Sequence, residues 1–421
     1  MNMLRNYICA LDISSSKVAA AVALTKNRRI IDIFFATQSS NTGIKNGSIV
    51  DSIDLTGSIG SALKNLKAAS GVNIKYIYAN ASGSDIVTKH SRAIIPLAER
   101  GNKVITLSDI HEVNEQARIL GSSLEEEIIH MVPQNYAIDS NECILNPLGL
   151  YSHRLEVDLY LVCAKIAFMQ GLTRAVNHAG YEIKDIFLSG LATSEAVFNK
   201  KLREGATVLC DLGADLTETL FFNDGILKNV QILPSGGRYL TERLEEKLKI
   251  SFDLAEDVKK SYGSAGDFSQ AENAKEILIK QNNTYTPINQ KLISEILTPG
   301  SRSICESIKS GMEKIIPCAK VDNFVACGRT VLLEGFLETL ENTLGMPVKL
   351  ARIHNHNIMS WASKESSISG QRYLAYVTCL GIICNVLFPK PRLQAPPAYQ
   401  PSKNPIVNLI NRVKEIYQEY F

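Results

Sequence analysis

Apolar positions along this chain fall into short runs that alternate with stripes of helical period. Tyr7 to Ile13 (YICALDI) is an apolar run that meets a serine-rich turn, and a second run covers Arg29 to Ala36, so the chain opens with a predicted hairpin. Leu55 to Ser70 carries helical spacing, and Ile74 to Ala81 reads as a buried strand. From Ile86 to about Tyr160, short strands mix with a helix near Leu107 to Leu120. A strand-then-helix pattern returns over Val162 to Ala179. Gly205 to Leu227 reads as strand, turn, strand, with Asp224-Gly225 marking its hairpin. Charged helical sequence runs from Tyr239 to about Ser264, and Asn323 to Gly345 is strand, loop, helix. Two halves that each open with strand, Asp, small-residue turn and strand predict an internally duplicated α/β fold.

The chain ends on a different pattern. Ile406, Leu409, Ile410, Val413, Ile416, Tyr417 and Tyr420 recur at i, i+3, i+4 and i+7, one apolar stripe on a helix spanning Asn404 to Phe421. Pro389 to Lys403 before it is too proline-rich for helix or strand and reads as a spacer. A tethered stripe must be buried somewhere. The favoured partner is a membrane surface, and the alternative is docking on the chain's own core or a partner's. Lys403, Arg412 and Lys414 against Glu415 and Glu419 give a weak positive balance, so lipid affinity would rest mostly on apolar area.

With 421 residues, 45 % hydrophobic and 21 % charged, the chain is large enough for two or more globular domains. A net charge of +2 and the lack of a basic stripe with interleaved aromatics give no case for nucleic acid. No apolar run approaches the length of about 20 residues that spans a bilayer. The N-terminus does not read as a signal peptide. Nine cysteines without a CxxC pair read as buried thiols of a reducing cytoplasm. His354 and His356 have no third ligand at a clear spacing.

The chemistry sits on two turns, Asp12-Ile13-Ser14-Ser15-Ser16-Lys17 and Asp211-Leu212-Gly213-Ala214-Asp215-Leu216-Thr217. An Asp at a strand end before a tight small-residue hairpin presents backbone N–H groups to phosphates, and the Asp can hold Mg²⁺ through water. One such turn also arises for steric reasons alone. Two of them, with a glycine-bearing strand–loop–helix at Gly328, point to a nucleotide cleft.

These segments resemble the actin-like superfamily and, within it, the FtsA family of bacterial cell division. DISSSKVAA and DLGADLTETLFF look like its two phosphate motifs, CGRTVLLEGF like its adenosine motif, and YVTCLGII (Tyr376 to Ile383) like its second connecting helix. IKNGSIVDSIDLTGSI, HMVPQNYAID, NPLGLYSHRLEVD and LPSGGRYLTERL are the more specific marks. The resemblance implies a two-lobed actin-like α/β fold. Its first lobe would take residues 1–85 and 161–204, with a small inserted subdomain at 86–160. The second lobe would take 205–388, followed by a linker at 389–403 and a membrane-targeting helix at 404–421.

By the same resemblance, ATP and Mg²⁺ would lie against Asp12, Ser14, Ser15, Ser16, Lys17, Asp211, Gly213, Ala214, Asp215, Thr217, Gly236, Gly237, Glu256, Lys259, Gly328 and Arg329. Asp12 and Asp211 would hold the metal, and any hydrolysis would be very slow. The implied role is an adaptor at the inner face of the cell membrane, at the division site. It would bind the C-terminal peptide of the tubulin-like filament protein FtsZ around Leu297 to Ile308, with Arg302 as the contact, and polymerise head to tail. A pilus scaffold of the PilM type and an actin-fold phosphotransferase are the alternatives.

The chain departs from the family pattern at several places. Asp215 stands where a Gly is expected, Glu218 where the family has Asp, and Arg329 in place of a second Gly. Ser14 replaces a Gly, Cys327 a Thr, and Ser189-Gly190 the usual Glu-Pro. A carboxylate about 5 Å from one phosphate charge costs roughly 3 kcal/mol at an effective dielectric of 20, roughly a hundredfold or more in affinity unless a cation intervenes. Two readings follow. Asp215 and Arg329 pair across an empty cleft, or Arg329 serves the nucleotide while Asp215 helps to hold Mg²⁺. For Glu256 and Lys259 the bland alternative is a solvated i,i+3 helix pair.

Overall fold

A computed structural model gives the fold and describes residues 6–38, 43–98, 101–138, 141–266, 276–281, 284–355, 358 and 372–389. The expected linker, apart from Pro389, and the terminal stripe from Ile406 to Tyr420 lie outside the described residues.

The first lobe begins with β1 (Asn6–Ser14), β2 (Lys17–Lys26) and β3 (Arg29–Gln38), an antiparallel meander in place of a single hairpin. The extra strand arises because VAAAVAL is a continuous apolar run, buried on both faces, and needs partners on either side. A small hairpin, β4 (Ile44–Lys45) and β5 (Ser48–Ile49), leads into α1 (Ser52–Ser70). Asp51 caps α1 by accepting from the N–H groups of Ile53 and Asp54, and Gly71 ends it in the left-handed region at φ +67°. The strand β6 (Tyr76–Ala81) then pairs parallel to β1.

Next comes the inserted subdomain. It holds β7 (Ile86–Pro96), β8 (Lys103–Val104), α2 (Leu107–Gly121), β9 (Glu126–Ile138), β10 (Asn141–Ile144), β11 (Tyr151–Ser152) and β12 (Arg154–Lys165). Its sheet runs β10-β9-β12-β7. Val113 and Ala117 on α2 meet Leu155, Leu159 and Leu161 on β12 in a core of its own.

The chain returns through α3 (Ile166–His178), β13 (Glu182–Leu188) and α4 (Ser189–Val197), completing the first sheet as β13-β6-β1-β2-β3. The second lobe repeats the opening with β14 (Ala206–Leu212), β15 (Thr217–Asn223) and β16 (Ile226–Leu233). It continues with α5 (Gly237–Leu248), α6 (Phe252–Tyr262), β17 (Glu276–Gln281), β18 (Thr284–Asn289), α7 (Gln290–Glu313), β19 (Asn323–Cys327), α8 (Phe336–Leu344) and β20 (Val348–Leu350). Its sheet is β16-β15-β14-β19-β20. The charged stretch after Tyr239 is two helices, because Lys249 adopts a left-handed conformation and Ser251 caps a new start. In α7, Pro299 sits inside a 24-residue helix. It removes one backbone donor there without ending the helix, because the flanking Leu297, Ser301 and Ile304 are buried.

Helix Val377–Leu387 crosses back onto α4, and Gly381 is the contact point. A Cβ on Gly381 would stand 1.9 Å from the Ala192 carbonyl oxygen. Gly to Ala in an exposed helix stabilises by about 1 kcal/mol. Gly381→Ala should instead destabilise by about 1–3 kcal/mol through overpacking. Its thermal midpoint, followed by circular dichroism, should fall below the parent's. An equal or higher midpoint would contradict this packing.

Candidate nucleotide cleft

Between the lobes lies a cavity of about 990 Å³ whose walls carry both turns singled out in the sequence. Duplication explains the placement. Each lobe's first hairpin ends at the same cleft, and β1 and β14 carry Asp12 and Asp211 there.

Asp12 is buried and held at both oxygens. The Lys17 ammonium donates to Oδ2 at 2.6 Å and the Asn80 amide to Oδ1 at 2.9 Å. Lys17 also donates to the Ala375 carbonyl at 2.6 Å. Asn80, at the end of β6, accepts from the Ile13 N–H at 2.6 Å and donates to the Ser189 hydroxyl at 2.8 Å. It thereby joins the first turn to the start of α4. Ser14, Ser15 and Ser16 form the half-buried turn itself and line the cavity.

Opposite them, burial first and the Asp12 charge second push the Asp211 carboxyl up to about 6, against a Cys327 thiol hydrogen bond and the Lys17 charge. Two facing carboxylates with Lys17 beside them are oxygen donors of the kind Mg²⁺ takes. Among the described residues no cluster of three or more His, Cys, Asp or Glu could hold a metal by itself.

The second turn is closed by close backbone approach. Gly213 N–H donates to Leu216 O at 2.9 Å, Gly237 N–H to Gly213 O at 3.0 Å and Arg238 N–H to Ala214 O at 2.7 Å. A Cβ on Gly236 would stand 2.5 Å from Ala214 O, and one on Gly237 2.6 Å from Thr330 Oγ1. Gly328 has φ +88°, and its Cβ would sit 2.2 Å from Leu212 O. Gly213, Ala214, Gly237 and Gly328 line the cavity, whereas Gly236 and Thr217 stand behind its wall. The Thr217 hydroxyl donates to Ser235 O at 2.7 Å.

Asp215 and Arg329 do not pair. Asp215 Oδ1 accepts from Arg238 Nε at 2.5 Å and Oδ2 from the Asn46 N–H at 2.8 Å, while Arg329 donates to the Ser16 hydroxyl at 3.0 Å. Both Asp215 oxygens are thus engaged by the chain itself, as both Asp12 oxygens are. Arg238 is the intervening cation that offsets the penalty expected from a carboxylate in a phosphate turn. Sequence reasoning missed Arg238, although its position directly after Gly236-Gly237 at a helix start was a usable signal.

Glu256 and Lys259 are not a solvated pair. The Lys259 ammonium contacts Glu256 at 2.6 Å, Gly237 O at 2.8 Å and Thr241 Oγ1 at 2.6 Å, joining α6 to α5 at the cavity wall. Burial alone would raise Glu256, but the Lys259 charge overrides it and holds the carboxyl down at about 2. Burial lowers Lys259, against the pull of Glu256. Arg302 lies elsewhere, exposed on α7. The remaining features fit a magnesium nucleotide: close-approach glycines, two carboxylates, and the Lys17 and Arg329 cations.

Two family models match the chain. "SHS2 domain inserted in FTSA" covers residues 83–163, and "Cell division protein FtsA" covers residues 208–378. The "Cell division protein FtsA" of Borreliella burgdorferi is 25% identical over 83% of this chain and 85% of its own length. That of Streptococcus pneumoniae is 27% identical over 82% and 75%. Among solved structures, the PilM-PilN type IV pilus biogenesis complex has a TM-score of 0.65 at 16% identity, over 91% of this chain and 100% of that one. MreB5 of Spiroplasma citri bound to ADP has a TM-score of 0.53 at 12% identity, over 91% and 99%. Those two likenesses bear on the fold, which is actin-like. With two FtsA models matching more than half of its length together, and FtsA proteins aligned across about four-fifths of it, the chain belongs to the FtsA family of cell-division proteins.

Proposed function

We propose that this chain is a membrane-tethering adaptor of the division ring. It links FtsZ filaments to the inner face of the cell membrane at the division site and polymerises head to tail on that surface. The observation that carries the reading is the match of residues 83–163 to a domain named for its insertion in FtsA. That match supports a division protein over the pilus-scaffold and phosphotransferase alternatives. The inserted subdomain would form part of the contact between copies, and the helix over 404–421 would supply the lipid contact.

Mg²⁺–ATP would be held weakly in the cleft. Asp12 and Asp211 would face the metal, Lys17 and Arg329 the phosphates, and Glu256, Lys259 and Gly328 the nucleoside. The bound nucleotide would supply phosphate charge that links donors of both lobes. Asp215, neutralised by Arg238, would add neither a donor nor a metal ligand.

The exposed Arg302 on α7 is the proposed contact for the FtsZ C-terminal peptide. Fluorescence anisotropy of that labelled peptide against the full chain should report saturable binding. Arg302→Glu should weaken it by at least tenfold, about 1.4 kcal/mol. Unchanged affinity of the variant would remove Arg302 from the site, and no binding by the parent would overturn the adaptor reading.

A further inference from the structure

The β14–β15 hairpin carries two acidic side chains that both reach the first lobe. Asp215, with its side chain 1 % exposed, accepts from the Asn46 N–H in the β4–β5 turn, and Arg238 of its own lobe holds the other oxygen. Glu218 accepts from the Ser82 hydroxyl at 2.6 Å, at the end of β6, and from the Gly190 N–H at 3.2 Å, in α4. Between them Leu216 packs under the β4–β5 turn. A Cβ on Gly47 would stand 3.0 Å from Leu216 Cδ1 and 2.4 Å from Gly83 Cα. Three first-lobe segments therefore seat directly on one second-lobe hairpin, through two buried carboxylates and an apolar plug.

We propose that this hairpin is a built-in clasp that holds the two lobes closed without a ligand. A ligand shifts a conformational equilibrium only by its differential affinity for the two states. Where internal carboxylates already join the lobes, nucleotide occupancy has little leverage over the lobe angle. Closure is then a property of the chain, and Asp215 and Glu218 do mechanically what phosphates bound to both lobes would do. The proposal concerns the cleft alone and stands apart from the adaptor reading.

Spin labels at Lys64→Cys on α1 and Glu338→Cys on α8, both exposed positions, report the inter-lobe distance in the full chain by double electron–electron resonance. The parent should give one narrow distribution, unchanged by Mg²⁺–ATP at saturating concentration. Asp215→Ala with Ser82→Ala should roughly double its width and extend it to longer distances, and Mg²⁺–ATP should narrow it again. Leu216→Ala, which removes only the apolar plug, gives the same reading if the double variant fails to fold. A parent that is broad alone and narrows with Mg²⁺–ATP would overturn the clasp. So would variants as narrow as the parent without nucleotide.

Discussion

Glu218→Gln should make the protein relatively more stable as pH rises, with the gap to the parent widening by about 3 kcal/mol between pH 4.5 and pH 8. The Glu218 carboxyl is raised from 4.5 to about 7, first by burial and then by the charges of Asp211 and Asp12, while Ser82 and the Gly190 N–H oppose the rise. Below pH 4.5 the folded and unfolded chains both carry the proton, and the group has no effect on stability. Between 4.5 and 7 the unfolded chain releases the proton and the folded chain keeps it, so stability falls as pH rises. Above 7 both are ionised and the loss is complete. Glutamine preserves the shape and stays neutral throughout, so it escapes that loss. Urea unfolding of the two proteins at a series of pH values reads the gap, and titrating groups that are not coupled to Glu218 cancel in the difference. A gap that does not change with pH would show that Glu218 ionises in the folded chain as it does in water.

Much of this fold could be read from the pattern of apolar runs, because the strands that carry the two turns are buried on both faces and leave long apolar signatures. YICALDI and ATVLCDL each place an Asp at a strand end. That repeat marks the cleft in the sequence itself. The helices at Leu55 and Leu107 were equally legible, since an amphipathic stripe fixes period and length together. Pairings between lobes could not be read in this way. Asp215 meets Asn46 across 169 positions and Glu218 meets Ser82 across 136, so no local spacing records them. One of the two readings from sequence paired Asp215 with Arg329, a cation chosen by motif. The chain instead uses Arg238, which the close approach of Gly236 and Gly237 brings beside the turn. Asn80 was missed for a similar reason: its four hydrogen bonds run from β6 to β1 and α4.

The largest expected effect concerns the chain's end. Residues 404–421 carry seven apolar residues at helical spacing in the sequence and few net charges, so one copy is expected to bind a bilayer only weakly. Head-to-tail assembly would place many copies on one surface, and multivalency then converts weak contacts into stable attachment. Removing the stripe should remove the proposed lipid contact at once, so the expected loss is nearly complete. Ile410→Asp with Val413→Asp should do the same without shortening the chain, by placing two charges in the apolar face.

Flotation of anionic liposomes with preassembled FtsZ filaments measures the tether as a whole. The full chain should carry filaments to the top of the gradient with the lipid. The chain lacking 404–421 should leave filaments and itself at the bottom while still sedimenting with filaments when lipid is omitted. Equal flotation of filaments by the shortened chain, or none by the full chain, would contradict the membrane-tethering adaptor.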